Sequence, residues 1–200
     1  MEEAFLDLRV GNLMQDLDRF SSNWSISPVV SEADQIALLE LWEQFEQYHG
    51  PISNGNRERV VERETAKIES KRFQYFLVRD KEGRAVAYYS TEYPCAKHPG
   101  SIKLDQVFVE RDARGKGIAY FIIMHLMKRA ASELCKGDTR EIISYHFRKN
   151  GNPEYNESLE KITRILDRFG FKYMPEHAQE CPKSVRSLDS STYKFLHLPI

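Results

Sequence analysis

Apolar positions in the first twenty residues recur at helical spacing. Leu6, Val10, Leu13, Leu17 and Phe20 fall three or four apart, which predicts an amphipathic helix over residues 4–20 whose single apolar stripe packs on the rest of the chain or on a second copy. "SSNWSISPVV" reads as a short strand leading to Ser31, a helix N-cap with acidic residues after it, and then to the helix "EADQIALLELWEQFEQYH". "GPISNGN" ends that helix, and a charged helix, Arg57 to Ser70, follows, with only Val60, Val61 and Ile68 for an apolar face.

From residue 73 the period changes from helical to alternating. "FQYFLVRD", the turn "KEGR" and "AVAYYSTEY" form a β-hairpin, and "SIKLDQVFVE" adds a third strand. Ile118 to Leu134 is a long apolar helix, "EIISYHF" a strand, and Asn152 with Pro153 starts a helix running to Arg168. "FGFKYMP" and "STYKFLHL" close the chain as two strands joined by a loop containing Cys181 and Pro182.

The junction before Ile118 reads either as an ordinary basic surface turn or as an anion-binding helix mouth. Arg111, Arg114 and Lys116 gather there with Gly115 and Gly117 one residue apart. Glycine is needed only where φ is positive or where another group approaches too closely for a Cβ. At the start of a helix four backbone N–H groups lack an intrahelical partner and the dipole is positive, so a mouth cleared of side chains and ringed by cations binds anions, phosphates above all.

Two hundred residues that are 41% hydrophobic and 12% aromatic suit one α/β or α+β domain. The first residues lack a basic stretch followed by an apolar run, and no apolar stretch reaches membrane-spanning length, so a protein of the cytoplasm without a membrane segment is expected. Cys95, Cys135 and Cys181 are odd in number and far apart, which suggests neither a disulfide framework nor a metal site. A formal net charge of −1 argues against a nucleic-acid binder held by a basic surface. The charge is unevenly spread: residues 1–50 carry ten acidic side chains and two arginines, and the remainder 20 acidic and 27 basic. An acidic part facing a cationic substrate and a basic part facing an anionic cofactor is one reading of that asymmetry; a solvated acidic helix face is the other.

The order of elements resembles the GNAT superfamily of acyl-CoA-dependent N-acetyltransferases. Arg114-Gly115-Lys116-Gly117-Ile118-Ala119 fits that family's Q/R-x-x-G-x-G/A loop, the strand "VFV" precedes it at the family's spacing, and "LDRFGFKY" is similar to the end of the family's fourth helix. The resemblance covers residues 24–200 and leaves 1–23 as an N-terminal extension. It implies an α/β (α+β) fold with a mixed, mostly antiparallel central sheet flanked by helices. It also implies acetyl-CoA as co-substrate with no metal, its pyrophosphate on the backbone N–H groups from Gly115 to Ala119, its charge offset by Arg114 and Lys116, and its pantetheine arm along Val107 and Val109, with "EIISYHF" across the gap.

The implied reaction is acetyl transfer to a primary amine of a small molecule or protein. It needs a deprotonated amine, a polarised thioester carbonyl and an acid for the thiolate. By resemblance the Val109 N–H polarises the carbonyl, and Asp105 lies where many members carry a carboxylate base; alternation along the strand puts Asp105 on the face of Val107 and Val109. Many members carry a tyrosine acid where this chain has Leu166; counting forward from Asn156 reaches Thr163 instead, and Tyr145, His146, Tyr155 and Tyr173 are substitutes in principle. Trp42, Phe45, Glu46 and His49 make an aromatic and acidic helix face that could hold the acceptor's cation or simply pack in the core, with Glu92 and Tyr93 as further candidates. A non-catalytic acyl-CoA-binding module whose extra helix joins a partner or a second copy, in the latter case as a homodimer, is the alternative. A transferase acting on charged tRNA needs a basic acceptor face, and a P-loop enzyme needs G-x-x-x-x-G-K-[ST], which is absent.

Overall fold

The computed structural model describes residues 20–49, 57–92, 101–134, 141–147, 153–173 and 193–199. Seven strands form one sheet: β1 (Ser25–Pro28), β2 (Phe73–Arg79), β3 (Ala85–Glu92), β4 (Ser101–Val109), β5 (Glu141–Phe147), β6 (Lys172–Tyr173) and β7 (Tyr193–Pro199). Their order is β1-β2-β3-β4-β5-β7-β6, antiparallel throughout except for the parallel pair β4 and β5. The helices are α1 (Glu32–His49), α2 (Arg57–Glu69), α3 (Ile118–Leu134) and α4 (Pro153–Arg168), with a 3₁₀ turn at Arg111–Ala113 before α3. The element order and types agree with the pattern of apolar positions. The helix expected over residues 4–20 lies outside the described residues except for Phe20, as does the Asn152 cap.

Each face of the sheet buries its own cluster, as alternation requires. On one side Phe76, Val78, Ala87, Tyr89, Ile102 and Leu104 pack against Phe121, Ile122 and Met124 of α3 and Leu166 of α4. On the other, Tyr75, Leu77, Tyr88 and Phe108 pack against Leu38, Leu41, Trp42 and Phe45 of α1. Among the described side chains of α2 the buried one is Glu64, with Ile68 half-buried against the core, in keeping with the weak apolar pattern in the sequence.

Local signals fix the ends of the helices. Ser31 and Asp34 cap α1 reciprocally: the Asp34 N–H donates to Ser31 Oγ at 3.1 Å and the Ser31 N–H donates to Asp34 Oδ2 at 3.0 Å. Arg79 of β2 donates to the same Asp34 carboxylate at 2.7 Å and so ties the helix start to the sheet. At the end of α4 the Phe171 N–H donates to Leu166 O at 3.1 Å and the Gly170 N–H to Asp167 O at 3.0 Å, a Schellman closure that turns Phe169 and Phe171 into the core.

The Ser31 hydroxyl, the Ser31 N–H and Arg79 together hold the Asp34 carboxyl well below the ordinary carboxylate value. A depressed folded-state pKa contributes stability that is fully present above the unfolded value and is lost as pH falls towards the folded one. Ser31→Ala is expected to lower stability by about 1 kcal/mol at neutral pH. The stability gap between the parent and Asp34→Asn shrinks as the pH of a urea titration is taken below about 4. A gap that widened on acidification would contradict this role for Asp34.

Candidate active site

The two neighbours of β4 treat it differently. Its pairing with β3 runs from Glu92 opposite Lys103 to Ala87 opposite Val109, whereas its pairing with β5 stops at Leu104 opposite Ser144. Beyond that point β4 and β5 separate. The Glu110 N–H donates back to Val86 O at 2.9 Å, so by alternation the N–H groups of Phe108 and Glu110 point to β3 and those of Val107 and Val109 point into the gap. The Val109 carbonyl accepts from Arg114 Nε at 3.0 Å. Its N–H remains directed at the gap.

The register of β3 and β4 slips between Ser90 opposite Gln106 and Thr91 opposite Leu104, which leaves Asp105 as the extra residue of a β-bulge. The bulge corrects the expectation that Asp105 shares a face with Val107 and Val109. Ile102, Leu104, Val107 and Val109 pack on the α3 side. Asp105 and Gln106 both turn to the α1–α2 side, where Asp105 meets Lys67 of α2 and Gln106 accepts from Trp42 Nε1 at 3.4 Å and from the Tyr88 hydroxyl at 3.1 Å.

Asp105 sits in the middle of a row of alternating charges. Arg63 Nε lies 2.9 Å and Lys67 Nζ 3.2 Å from Glu64 Oε1; Lys67 Nζ lies 3.1 Å from Asp105 Oδ2; Lys103 Nζ lies 2.7 Å from Asp105 Oδ1 and 3.4 Å from Glu92 Oε2; and Arg72 closes the row on Glu92. The buried Tyr75 hydroxyl donates to Glu64; burial and that carboxylate push its phenol far above the usual value. Burial alone pushes the Asp105 carboxyl up, but the Lys103 and Lys67 ammonium groups more than reverse this and hold it below its ordinary value. Beside the row a cavity of about 110 Å³ opens between α1 and α2, with Leu38, Trp42, Ile68, Glu64 and Tyr75 in its wall. Ser90, opposite both Tyr75 and Gln106, is fully buried, and its hydroxyl has no hydrogen-bond partner.

These contacts were invisible to a reading of separate segments, since Glu64, Lys67 and Tyr75 carry no motif. Trp42 and Phe45 prove to be core: both are buried, and Phe45 meets the rings of Tyr88 and Phe108 at 6.2 and 5.8 Å. The cation near Trp42 is the chain's own Arg63, at 5.9 Å. Of the described acidic side chains of α1, Glu32, Glu40 and Glu43 are exposed and Asp34 is tied to Arg79, so none of these four belongs to the row. The side chains of Glu46, His49, Tyr145, His146, Tyr155 and Tyr173, and Tyr93 as a whole, lie outside the described residues. On α4, Leu166 is buried in the core and the Thr163 hydroxyl donates to Leu159 O at 2.8 Å, so neither offers an acid. His125 and Tyr89 pair at 2.7 Å beneath α3; burial, with Arg129 and Lys128 nearby, brings His125 down to about 4, so it is a neutral member of that core at pH 7.

At the other end of the gap the chain passes through Arg114, which is extended, and two left-handed glycines, Gly115 at φ +78° and Gly117 at φ +83°, into α3. A Cβ on Gly115 would meet nothing within 4 Å, whereas one on Gly117 would lie 2.7 Å from Phe20 Cε1. The Phe20 ring also lies against Tyr120 and Phe121, at 5.9 and 6.1 Å. The open, glycine-lined helix mouth beside two main-chain N–H groups fits a ligand that has a diphosphate and an extended amide-bearing arm, as coenzyme A does.

The sequence matches the acetyltransferase (GNAT) family over residues 37–150, more than half of its length, and the chain belongs to that family. The fold is similar to that of spermidine N-acetyltransferase from Vibrio cholerae, solved with CoA and spermine: 12% identity, a TM-score of 0.58, and 89% of this chain and 96% of that one covered. It is also similar to that of the N-acetyltransferase PseH from Campylobacter jejuni, solved with acetyl coenzyme A: 12% identity, a TM-score of 0.53, and 88% and 98% covered. No curated protein matches the sequence. Among the described residues, no helix is long and apolar enough to cross a membrane and no group of three or more metal-ligating side chains is found.

Left-handed backbone costs an alanine about 1–2 kcal/mol, and this is the whole expected cost of Gly115→Ala. Gly117→Ala is expected to cost more, because Phe20 must leave its place on Tyr120 and Phe121. In chemical denaturation the Gly117→Ala and Phe20→Ala costs are therefore less than additive in the double variant. Additive costs would show that the Phe20 contact does not constrain the turn.

Proposed function

We propose that the protein moves the acetyl group of acetyl-CoA to a primary amine by direct attack. The separation of β4 from β5 beyond Leu104 carries this reading, because it presents the Val107 and Val109 N–H groups to a strand-like ligand and ends at the glycine turn. Main-chain N–H groups from Gly115 to Ala119 hold the diphosphate, with Arg114 and Lys116 offsetting its charge. The pantetheine arm lies along Val107 and Val109.

The amine approaches from the α1–α2 side, loses a proton and attacks the thioester carbon. The Val109 N–H donates to the oxygen that gains negative charge. Collapse breaks the C–S bond, the amide nitrogen loses its second proton, and the departing thiolate is protonated by solvent. Asp105 is the proposed proton acceptor. Held ionised by Lys67 and Lys103, it is a weak base for an alkylammonium, so it orients the amine and passes the proton on through water.

Gly115→Asp tests the loop. Aspartate tolerates left-handed backbone, so the turn persists while a carboxylate opposes the diphosphate. The acetyl-CoA Kd measured by calorimetry is expected to rise about tenfold or more, as loss of charge-assisted hydrogen bonds would produce. An unchanged Kd would remove the loop from the binding site.

Asp105→Asn tests the proton path. With one identified amine, kcat/KM is expected to fall by roughly 10²-fold, a typical general-base contribution, and to recover in part as pH rises and free amine accumulates. The acetyl-CoA Kd should stay near that of the parent, since main-chain groups hold the pantetheine. Equal kcat/KM for parent and variant across the pH series would take Asp105 out of the reaction. Absence of thiol release from acetyl-CoA with every amine tried would leave only the acyl-CoA-binding alternative.

A further inference from the structure

We propose that Phe20 is a positioning residue for the acyl donor: its ring holds the Gly117 end of the glycine turn, and with it the first N–H groups of α3, in the arrangement that receives the diphosphate of acetyl-CoA. This rests on the acyl-CoA reading above and adds a residue from outside the glycine loop.

Gly117 is the N-cap of α3. Its carbonyl accepts from the Phe121 N–H at 3.0 Å, so helix geometry leaves the N–H groups of Ile118, Ala119 and Tyr120 without an intrahelical acceptor. In α1 the chain caps an equivalent donor itself, since the Asp34 N–H donates to Ser31 Oγ at 3.1 Å. At Gly117 a capping side chain is shut out. Left-handed backbone disfavours one, a Cβ would lie 2.7 Å from Phe20 Cε1, and the first turn of α3 holds no acidic residue. Neither the cap position nor the first turn therefore covers these donors, and the ring that excludes a cap is the one packed on the backbone that carries them.

Glycine turns are loose, because glycine reaches both halves of φ space and loses the most freedom when fixed. Contacts at both ends hold this one. At its entry Arg114 Nε donates to Val109 O at 3.0 Å and ties the turn to β4. At its exit the Phe20 ring closes on Gly117 and lies 5.9 and 6.1 Å from the rings of Tyr120 and Phe121, and Tyr120 in turn lies 4.7 Å from Phe169 at the end of α4. The space over Gly115, between the two ends, is open. Phe20 is itself fixed by the turn that follows it, where the N–H groups of Asn23 and Trp24 donate to its carbonyl at 2.9 and 3.1 Å. The ring thus joins the start of α3 to a segment anchored ahead of β1. A site whose donors are already in place loses less free energy to ordering when its ligand arrives. Without the ring the turn has to be ordered at the moment of binding, and the diphosphate is held less tightly.

The test is calorimetric titration of CoA into the full-length parent and its variants, at a temperature where circular dichroism shows each of them folded. Phe20→Ala is expected to raise the CoA Kd about tenfold, the worth of one charge-assisted hydrogen bond, with one site per chain retained. Phe20→Leu, which keeps an apolar side chain there, should raise it less. Met127 packs on the same core about two turns further along α3, so Met127→Ala loosens that core away from the mouth and should leave the Kd near the parent's. In Gly117→Ala the added Cβ displaces the ring, so the double variant with Phe20→Ala should raise the Kd by less than the product of the two single effects. An unchanged Kd in Phe20→Ala, an equal rise in Met127→Ala, or single effects that multiply in full would overturn the inference and leave the loop and the transfer reading standing. If Phe20→Ala does not fold, Phe20→Leu decides: a raised Kd supports the inference and one equal to the parent's overturns it. No CoA binding by the parent would overturn the acyl-CoA reading and this inference with it.

Discussion

A strand that stays paired on one edge up to the glycine turn and loses its partner on the other edge halfway along organises this molecule. β4 pairs with β3 from Lys103 to Val109, interrupted only by the bulge at Asp105, and loses its pairing to β5 after Leu104. Unpaired main-chain donors in the middle of a sheet are costly when buried without a partner. The gap is therefore either wet or filled by something strand-like. The bulge at Asp105 sits at the point of separation, and the extra residue adds local twist that turns the rest of β4 away from β5. The glycine turn and the start of α3 lie at the far end of the same strand, so a ligand that follows the gap arrives at a helix N-terminus.

The two faces of the sheet around that strand are built on different physics. The α3 side is mostly hydrocarbon, from Ile102 and Leu104 through Val107 to Ile118 and Ile122, with the Tyr89–His125 pair set into it. The α1–α2 side changes character along β4: Phe108 packs on Phe45, Gln106 accepts from Trp42 and Tyr88, and Asp105 and Lys103 belong to the charged row. Buried charges are tolerable only when paired and hydrogen-bonded. The row meets that condition by alternating signs, with its cationic ends in water. The cost is a helix, α2, held by ion pairs and Tyr75 more than by an apolar stripe.

The order of strands and helices was legible because each segment announces its own period, and the caps at Ser31 and after Arg168 announce themselves by residue type. The bulge was legible too. In "SIKLDQVFV" the inward apolar residues run Ile102, Leu104, then Val107, Val109, and the step of three between Leu104 and Val107 is the mark of one inserted residue. Strict alternation from Val107 back to Asp105 overlooked that slip and placed Asp105 on the wrong face. The pairing of Lys67 with Asp105 was not legible, since it joins α2 to β4 across 38 residues. Trp42 and Phe45 looked like a cation-binding face only because a helix seen alone does not show which side its neighbours cover.

The turn between β4 and α3 shows how one residue type can answer to two constraints at once. Both glycines are left-handed, yet only Gly117 is also closed in, by a phenylalanine from a segment that precedes the first strand. A sequence motif cannot separate these reasons, because either alone selects glycine. The structure separates them: Gly115 leaves open space at the helix mouth, and Gly117 lets Phe20 lie on Tyr120 and Phe121. Packing at Phe20 therefore bears directly on the backbone of the helix mouth. A change in the residues before β1 can reach the proposed acyl-CoA site without touching any group assigned to the ligand in that proposal.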